Sequence, residues 1–469
     1  MIADLKPYPE YRETEQFWLG AVPSHWEVLP NRAIFSEVKD RNHPDEEMLS
    51  VTINRGVIRQ KALLENSSKK DSSNKDKSAY KLLCPGDIAY NKMRAWQCAI
   101  GASDLRGIIS PAYVVMRLRN DDHNHQYFHH LYRTPQFGKE AERWSYGITS
   151  DMWSLRPEHF KIINTPLPPP DEQTSIVRFL NHTNQRIERT IRAKRKVIAL
   201  LNEQKQVFIH HAATRGLDPN VRLKPSGIPW FGSVPEHWEI VFLRMRYSVE
   251  LGKMLDVKKI TGRNLIPYLR NRDVQWDRIV VDDLPVMDIS NKEYARYTVK
   301  RGDLLVCEGG QVGRAAFWKE QLPICGFQKA LHRIRAIDSN RDFPRFLFYI
   351  TNYVATRGVF AADGNENTIA HLTCEKLRRY RFPFPPFDEQ YNISNFLDNE
   401  LLQFQNVISR TEREIDLLRE YRTRLIADVV TGKLDVREAA ARLPDEVDEI
   451  EEVILDDDDV TGEEVADVE

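Results

Sequence analysis

The sequence is poor in cysteine and has neither a long apolar run nor a recognisable catalytic motif. Its five cysteines are odd in number and none are spaced as Cys-x-x-Cys, which argues against structural zinc or disulfides and favours a reducing cytoplasm. No run of about 18 apolar residues is present to span a membrane, and the N-terminus lacks the apolar core of a signal peptide. A P-loop, a nuclease pattern and a Ser/His/Asp signature are also missing, so we predict that the chain has no catalytic residue, metal or cofactor of its own.

Basic residues are absent from the C-terminal end. Residues 445–469 contain 14 Asp or Glu and no Lys or Arg, which leaves 67 basic and 55 acidic residues in the rest of the chain. A body with this positive excess suits phosphate binding. The acidic segment lacks aromatic residues and is predicted to be disordered, either as a solubilising terminus or as an intramolecular competitor for the phosphate-binding surface.

Two groups of motifs occur twice, about 212 to 217 residues apart. The segment WLGAVPSHWE at 18–27 returns as WFGSVPEHWE at 230–239, and PPPDEQ at 168–173 returns as PPFDEQ at 385–390. Two copies of roughly 215 residues fit the usual size of a domain. The repeat predicts two similar sites related by an approximate two-fold axis, which suits a two-fold target such as duplex DNA.

Each copy ends in a segment that has neither glycine nor proline. These segments, 172–213 and 389–430, are 42 residues long, about 63 Å as an α-helix. We expect N-caps at Asp171 and Asp388 and glycine C-termini at Thr214-Arg215-Gly216 and Thr431-Gly432. Steps of three and four residues are typical of a coiled-coil seam, here diluted by polar residues. The predicted seam contains Ile176, Leu180, Thr183, Ile187, Thr190, Lys194, Ile198, Leu201, Lys205 and Phe208, with Ile393, Leu397, Phe404, Val407, Thr411, Ile415, Leu418, Arg422, Leu425 and Val429.

Opposite charge predicts that the two segments pair within one chain. The first has eight Lys or Arg and three Glu, whereas the second has five Arg and eight Asp or Glu. Antiparallel pairing preserves the two-fold axis. The predicted fold is therefore α+β, with two similar globular domains joined by two long antiparallel coiled-coil helices as a pseudo-two-fold internal repeat. Its predicted parts are domain 1 (1–170), helix 1 (171–216), a linker (217–229), domain 2 (230–387), helix 2 (388–434) and the acidic tail (435–469).

The globular parts share turn signals but differ in their loops. Pro85-Gly86-Asp87 and Arg301-Gly302-Asp303 each precede a strand-like run, and a polar loop follows each run. Arg can recognise guanine and Gln adenine, although ordinary turns with solvated charges are an equal alternative. The DNA-binding candidates are Lys92, Arg94, Trp96, Gln97, Gln311 and Arg314 in the first pair of loops, Tyr146, Thr149, Ser150, Asn365, Asn367 and Thr368 in a second pair, and Lys69, Lys70, Arg270, Asn271 and Arg272 as phosphate contacts.

The duplicated motifs resemble those of the specificity subunits of type I restriction–modification systems. The resemblance covers about residues 1–440 and also includes LKPYP at 5–9, GLDPN at 216–220 and GIPW at 227–230. It implies that each globular part is a target-recognition domain for one half of an asymmetric, bipartite target in double-stranded DNA. It also implies that the helices dock two adenine-DNA methyltransferase subunits, which use S-adenosylmethionine. ATP-dependent restriction subunits, with magnesium, would complete the complex.

Two alternatives to a noncatalytic type I subunit remain open. One is the specificity chain of another restriction class, whose methylase and nuclease share one partner polypeptide. The other is a coiled-coil adaptor with two protein-binding domains and no affinity for DNA. A chain that acts as a methyltransferase by itself is the least favoured interpretation.

Overall fold

The computed structural model describes residues 5–64, 76–149, 152–255, 262, 264–362 and 371–444. The chain forms two units, of which unit 1 comprises Met1–Lys194 with Arg413–Glu469 and unit 2 comprises Arg195–Glu412. Each unit mixes short strands and helices, and each contains parts of both long helices. Within the described ranges, no helix is both long enough and apolar enough to cross a bilayer.

Unit 1 begins with twelve short strands and five short helices among its described residues, followed by the first long helix. The strands are Tyr11–Glu13 (β1), Ala21–Pro23 (β2), Glu27–Pro30 (β3), Phe35–Val38 (β4), Leu49–Thr52 (β5), Gly56–Arg59 (β6), Lys81–Leu83 (β7), Ile88–Asn91 (β8), Ile100–Ala102 (β9), Gly107–Ile109 (β10), Tyr113–Leu118 (β11) and Asn164–Leu167 (β12). The helices are Asn31–Ile34 (α1), Gln60–Leu64 (α2), His125–Tyr132 (α3), Pro135–Arg143 (α4), Pro157–Ile162 (α5) and Pro170–Arg215 (α6).

A four-stranded antiparallel sheet, in the order β4-β11-β8-β9, organises unit 1. Successive side chains of a strand face opposite sides of a sheet. Accordingly, Val114 and Met116 of β11 join an aromatic core that includes Phe128, whereas Val115 joins a smaller cluster with Leu49. Both faces of the sheet are therefore covered, and the loops at its strand ends are left to form a surface.

Unit 2 contains thirteen strands and four short helices among its described residues, followed by the second long helix. The strands are Leu223–Pro225 (β13), Ser233–Pro235 (β14), Glu239–Phe242 (β15), Tyr247–Leu251 (β16), Leu265–Leu269 (β17), Val274–Gln275 (β18), Arg278–Ile279 (β19), Val286–Asp288 (β20), Leu304–Cys307 (β21), Ala315–Phe317 (β22), Gly326–Phe327 (β23), Leu331–Ala336 (β24) and Arg381–Phe384 (β25). The helices are Tyr294–Tyr297 (α7), Pro344–Thr356 (α8), Val359–Ala362 (α9), Cys374–Arg379 (α10) and Phe387–Val430 (α11), and Arg437–Ala441 (α12) belongs to unit 1.

The main sheet of unit 2 has the order β16-β24-β21-β22 and is antiparallel. It corresponds strand by strand to the main sheet of unit 1. The two-stranded pairs β13-β14 and β15-β25 likewise correspond to β1-β2 and β3-β12. Unit 2 differs by a further three-stranded sheet, β20-β17-β23, so the shared scaffold carries a different insertion.

The duplicated Gly-Asp turn signals each hold a buried carboxylate beside the main sheet. Asp87 accepts two hydrogen bonds from Arg117 of β11, at 2.7 and 2.8 Å. Asp303 accepts two from Arg335 of β24, both at 2.6 Å. Because a buried carboxylate needs charged or hydrogen-bonding partners, the paired Asp and Arg fix each turn to its sheet. The glycine before each Asp has a positive φ, 89° for Gly86 and 85° for Gly302, as the turn requires.

The duplicated Trp and Glu motifs meet at the start of each long helix. In unit 1 the Trp26 indole N–H donates to Glu172 Oε1 at 2.9 Å, and His25 Nε2 lies 2.8 Å from Glu172 Oε2. In unit 2 the Trp238 indole N–H donates to Glu389 Oε1 at 3.1 Å, with His237 Nε2 2.7 Å from Glu389 Oε2. These contacts explain why the two sequence motifs recur together.

The adjacent glutamines join each helix start to a neighbouring loop. The Gln173 amide donates to the Pro168 carbonyl and its oxygen accepts from the Asn124 backbone N–H. The Gln390 amide donates to the Pro385 carbonyl at 2.8 Å, and its oxygen accepts from the Phe343 backbone N–H at 2.9 Å. The Glu-Gln pair therefore anchors the long helix to its globular part in both units.

We expect Glu172→Ala to destabilise unit 1 more than Glu389→Ala destabilises unit 2. Glu172 is 5% exposed and also accepts a 2.5 Å hydrogen bond from the Tyr8 hydroxyl, whereas the Glu389 side chain is 29% exposed. Removing Glu172 leaves buried donors without an acceptor, at a cost of roughly 3 kcal/mol. Denaturant unfolding followed by tryptophan fluorescence measures both losses. Tyr8→Phe in the Glu172→Ala background should have little further effect, and equal losses for the two alanine variants would contradict the expectation.

The two long helices run antiparallel within each unit. In unit 1, Lys194 pairs with Glu414 at 2.6 Å and Glu188 pairs with Arg422 at 3.1 Å, so partner numbers change in opposite directions. In unit 2, the Phe208 and Phe404 rings lie 5.5 Å apart. Elsewhere in unit 2, the two long helices contribute to the same hydrophobic core, through Ile209, Ala212 and Ala213 of α6 and Ile393 and Leu397 of α11.

The buried face of the long helices differs from the predicted seam at three positions. The predicted residues there are exposed and their C-terminal neighbours are buried instead. The prediction used steps of three and four residues, whereas an α-helix has 3.6 residues per turn, so single seam positions fall one residue away from the buried face. The buried residues are Ile191, Ile209 and Ile408, whereas the prediction had placed Thr190, Phe208 and Val407 at these seam positions.

The ends of the long helices correct one prediction and confirm another. Asp171 and Asp388 are not N-caps, because the helices begin at Pro170 and Phe387 and both carboxylates lie in the first turn. Proline is tolerated there since the first helical N–H groups have no partner in the helix, and the carboxylates favour the positive helix end. Glycines follow both helices with positive φ, 74° for Gly216 and 80° for Gly432, as predicted.

The acidic tail was predicted to begin at residue 435, which is too early. The helix α12 begins at Arg437, two residues after the predicted start of the tail, and Val436, Ala440 and Leu443 are buried in unit 1. The Asp435 backbone N–H donates to the Lys6 carbonyl at 2.8 Å. The prediction was based on the average composition of residues 435–469, which concealed the apolar side chains at these three positions. Residues 445–469 lie outside the described residues.

Candidate nucleic-acid interface

The first predicted loop of unit 1 follows β8 and is held by its own hydrogen bonds. Residues Ala95–Gln97 form a single 3-10 turn. Arg94 Nη1 donates to Gln97 Oε1 at 3.1 Å, and the Trp96 indole N–H donates to the Met93 carbonyl at 3.0 Å. Arg94, Trp96 and Gln97 are each partly exposed. The loop thus presents a guanidinium, an amide and an indole from a fixed backbone.

The second predicted loop of unit 1 lies beside the first. The Leu155 backbone N–H donates to the Lys92 carbonyl at 2.9 Å, and the Trp96 and Trp153 rings meet edge to face at 5.6 Å. The structure therefore brings Lys92, Arg94, Trp96 and Gln97 together with the loop that carries three further candidates. Of these, Tyr146 and Thr149 are exposed, and Ser150 lies outside the described residues.

A cluster of cations next to this surface was missed from the sequence. Burial and the nearby Lys92 lower the pKa of Lys81 to about 8, with Arg41 and Lys39 contributing and Glu37 opposing. Arg41 is opposite Lys81 in an antiparallel bridge, and the Lys81 ammonium donates to the Pro111 carbonyl at 3.2 Å. These cations lie close together because the strands pair, which the composition does not reveal.

The predicted phosphate contacts Lys69 and Lys70 lie outside the described residues.

The candidates of unit 2 form one network across three loops. Asn271 donates from Nδ2 to the Gly309 carbonyl at 3.0 Å. Arg314 Nη2 in turn donates to the Asn271 carbonyl at 3.0 Å and to its Oδ1 at 2.9 Å. Gln311 is exposed beside them. The sequence supplied Asn271 and Arg314 as separate candidates, and the fold joins them.

The two predicted phosphate-binding arginines of unit 2 have different surroundings. Arg270 donates to both carboxylate oxygens of Asp273, at 2.8 and 2.9 Å, and this pairing raises the pKa of the Arg270 guanidinium. The Arg272 side chain is 70% exposed and reaches Asp273 only at 3.8 Å. Arg272 is therefore the more available of the two for a phosphate, whereas Arg270 closes its own turn.

The remaining three candidates of unit 2, Asn365, Asn367 and Thr368, lie outside the described residues. The chain re-enters the described part beside the first loop, where the Leu372 backbone N–H donates to the Glu308 carbonyl at 2.8 Å. Over the described ranges, no group of three or more His, Cys, Asp or Glu side chains is arranged to hold a metal ion.

Comparison with known proteins identifies a family for this arrangement. The family model described as "Type I restriction modification DNA specificity domain" matches residues 235–414. A putative type I restriction enzyme MjaX specificity subunit of Methanocaldococcus jannaschii is 22% identical over 464 residues, covering 93% of this chain and 100% of the relative. The MjaVIII specificity subunit of the same organism is 22% identical over 341 residues, covering 71% of this chain and 75% of the relative.

A solved structure has the same fold. A chain from a structure of the type I R-M system, described for complex assembly and conformational transition, aligns with a TM-score of 0.64 at 16% sequence identity. The alignment covers 88% of this chain and 99% of that chain.

The chain is therefore a mixed helix and strand protein that contains a DNA specificity domain. The chain is a relative of the specificity subunits of type I restriction–modification systems, and the family predicted from its sequence is confirmed. The similarity to specificity subunits is in agreement with the prediction that the chain is not an enzyme by itself.

Proposed function

We propose that the chain recognises an asymmetric, bipartite DNA target, with each unit contacting one half. The observation that carries this proposal is a shared scaffold with unlike loops. Both units hold their main sheet by a buried Asp-Arg pair and their long helix by a Glu-Trp contact. The polar groups that the loops present are different in the two units, so two different half-sites are expected.

The chemistry of the two loop surfaces suits base recognition. Unit 1 offers Arg94 and Gln97 beside Trp96, and unit 2 offers Asn271 and Arg314 beside the exposed Gln311. Arg commonly recognises guanine, and Asn or Gln recognises adenine. The cations around Lys81 and the exposed Arg272 supply positive charge that can position phosphates without specifying sequence.

We also propose that the paired long helices set the distance between the half-sites. The helix α6 has 46 residues, about 69 Å at 1.5 Å per residue. Half-sites on one face of B-DNA are separated by about 34 Å or a multiple of it. Paired helices of this length are long enough to span such a separation.

The docking of methyltransferase subunits is proposed on the exposed side chains of the helices. In the unit 2 part of α6, Val197, Leu200 and Val207 are 45, 51 and 60% exposed. Their spacing of three and seven residues puts them on one helix face. We propose that methyltransferase subunits, which use S-adenosylmethionine, cover this face. Restriction subunits that use ATP and magnesium would complete the complex.

One reconstitution tests these proposals together. The full chain should bind duplex DNA with an affinity that falls roughly 10³-fold between about 50 and about 200 mM salt if six phosphates are contacted. Adding the methyltransferase chain encoded beside it should slow amide exchange in the α6 segment around Val207. A coiled-coil adaptor without DNA affinity would show no salt-dependent binding, and unchanged exchange would reject docking on this face. A neighbouring gene for a fused methylase and nuclease would instead assign the chain to the other restriction class.

A further inference from the structure

A groove on unit 2 is lined by positive and aromatic side chains. It has a volume of about 370 Å³ and lies where α10 meets the turn between β13 and β14. Its lining includes three cations and no carboxylate, and consists of residues 227–229 with Trp230, Lys376, Arg379, Tyr380 and Arg381. Glu375, the one acidic residue of α10, is not part of it. A cleft with charge of one sign and apolar walls attracts ions of the opposite sign.

Three arginines at the groove have no acidic partner. Arg357 lies over the Tyr353 ring at 5.0 Å, and the Tyr353 hydroxyl donates to the Trp230 carbonyl, which places Arg357 close to the groove. In the described part of the chain, Arg357, Arg379 and Arg381 form no ion pair with a carboxylate. Their guanidinium groups are therefore available to a phosphate, which an arginine can bind through two parallel hydrogen bonds.

Exposed arginines elsewhere in unit 2 are paired with carboxylates. Arg296 lies 3.2 Å from Glu250, and Arg341 lies 2.7 Å from Glu239, although these arginine side chains are 62 and 52% exposed. Exposure alone therefore does not explain why the arginines at the groove lack a carboxylate.

The surroundings of His210 show that the positive charge extends to the end of α6. The His210 ring stacks on the Tyr353 ring at 4.7 Å. Burial lowers the pKa of His210, and the charged groups that lower it further are Arg357, Arg215 and His211. Every charged group that acts on this imidazole is a cation, so the groove lies at the edge of a wider positive surface.

The groove adjoins the loop that carries Arg314. A Cβ on Gly313 would lie 2.4 Å from the Phe360 ring, so this loop packs directly on α9. The Phe360 ring is 5.0 Å from the Tyr380 ring, which is 6.0 Å from the Trp230 ring. These two separations together are comparable with the width of the DNA major groove, about 12 Å. A duplex whose base edges meet Arg314 therefore has backbone phosphates within reach of the groove.

Unit 1 has different residues at the corresponding positions. The strand β25 pairs with β15 as β12 pairs with β3, and Arg381 and Asn164 are the first residues of β25 and β12. The sequences before these strands align without a gap through α10 and α5, so Arg379 corresponds to Ile162. The shared scaffold therefore does not require the two arginines, and their charge is a property of unit 2.

We propose that Arg357, Arg379 and Arg381 bind backbone phosphates of DNA beside the half-site that unit 2 contacts. This inference rests on the proposed function and deepens it, because it assigns unit 2 a phosphate-binding surface outside its recognition loops. Such contacts position the duplex without specifying its sequence. Each neutralised phosphate releases counterions, so each arginine makes the slope of log affinity against log salt concentration steeper by about 0.9.

The test uses the full chain and a duplex that this chain enriches from a random-sequence library. Arg379→Ile with Arg381→Asn introduces the unit 1 residues and should make the salt slope shallower by about 2. Arg357→Gln alone should make it shallower by about 1. Arg379→Lys with Arg381→Lys, which keeps both charges, should retain most of the slope.

Ethylation interference locates the contacts on the same duplex. Ethylation of phosphates beside one half-site should weaken binding of the unchanged chain. It should have no effect on binding of the Arg379→Ile, Arg381→Asn variant, which loses those contacts. The duplex enriched by this variant should keep the same two half-site sequences, since phosphate contacts carry no sequence information.

The matched control is Arg296→Ile with Arg341→Asn, which removes two exposed arginines that already have carboxylate partners. It should leave the salt slope and the interference pattern unaltered, and an equal loss of slope would reject the groove in favour of net charge. The proposal is also refuted if Arg379→Ile with Arg381→Asn keeps both readouts, or loses only binding to the methyltransferase chain, which would make the groove a protein-docking surface. Enrichment of no duplex would reject the proposed function itself, and so separates the two failures.

Discussion

Replacing residues 28–165 with the corresponding segment of a relative should change one half of the DNA target completely and leave the other half intact. The segment begins and ends within one antiparallel pair, where Val28 is opposite Pro166 and Leu29 is opposite Thr165. The exchange therefore introduces a module whose ends are already neighbours. Trp26 and Glu172 lie outside the exchanged segment, so the anchor of the long helix is retained.

Methylome sequencing of cells that carry the original or the exchanged gene measures this result. The reciprocal control exchanges residues 240–382 of unit 2, which also begin and end within a strand pair, because Ile240 is opposite Pro383 and Val241 is opposite Phe382. It should change the other half of the target. A change in both halves after either exchange would refute independent recognition by the two units.

Deleting seven residues from each long helix should shorten the spacer and preserve both half-sites. The pairs Lys194–Glu414 and Glu188–Arg422 set the antiparallel register and are both retained when removal of 195–201 from α6 is matched by removal of 407–413 from α11. Seven residues are about two turns, which keeps the buried face within about 20° of its original direction. The helix becomes about 10.5 Å shorter, equivalent to roughly 3 base pairs.

The methylation target of the deletion variant gives the new spacer directly. A control that deletes residues 195–201 from α6 alone should abolish methylation, because the paired helices then lose their register. An unchanged spacer in the doubly deleted chain would show that the helices do not determine the separation of the half-sites.

The long helices were predictable because their evidence is local. Absence of glycine and proline, followed by Gly216 and Gly432, located both helices to within a few residues of their observed bounds. The buried face was less predictable, since Thr190 and Ile191 are adjacent and only packing decides which is covered. The misplaced positions are isolated, since Leu425 and Val429, which follow Val407 in the predicted seam, are buried as predicted.

The candidate site shows the same division between local and distant information. The sequence identified Arg94 and Gln97 from one short loop, and the structure pairs them directly. It could not show that Arg314 bonds to Asn271, because 43 residues separate them and the contact depends on the strand order of unit 2. The cations around Lys81 come from separate segments for the same reason.

Unit 1 is assembled from both ends of the chain, whereas unit 2 is a continuous segment. Asp435 bonds to the Lys6 carbonyl, the Tyr11 hydroxyl donates to the Gly432 carbonyl at 3.1 Å, and Arg178 donates to the Leu443 carbonyl at 2.8 Å. During synthesis on the ribosome, unit 2 has all its residues once Glu412 has emerged, but unit 1 must wait for the residues that follow. We therefore expect unit 2 to complete its fold before unit 1, the reverse of the usual N-terminal-first order.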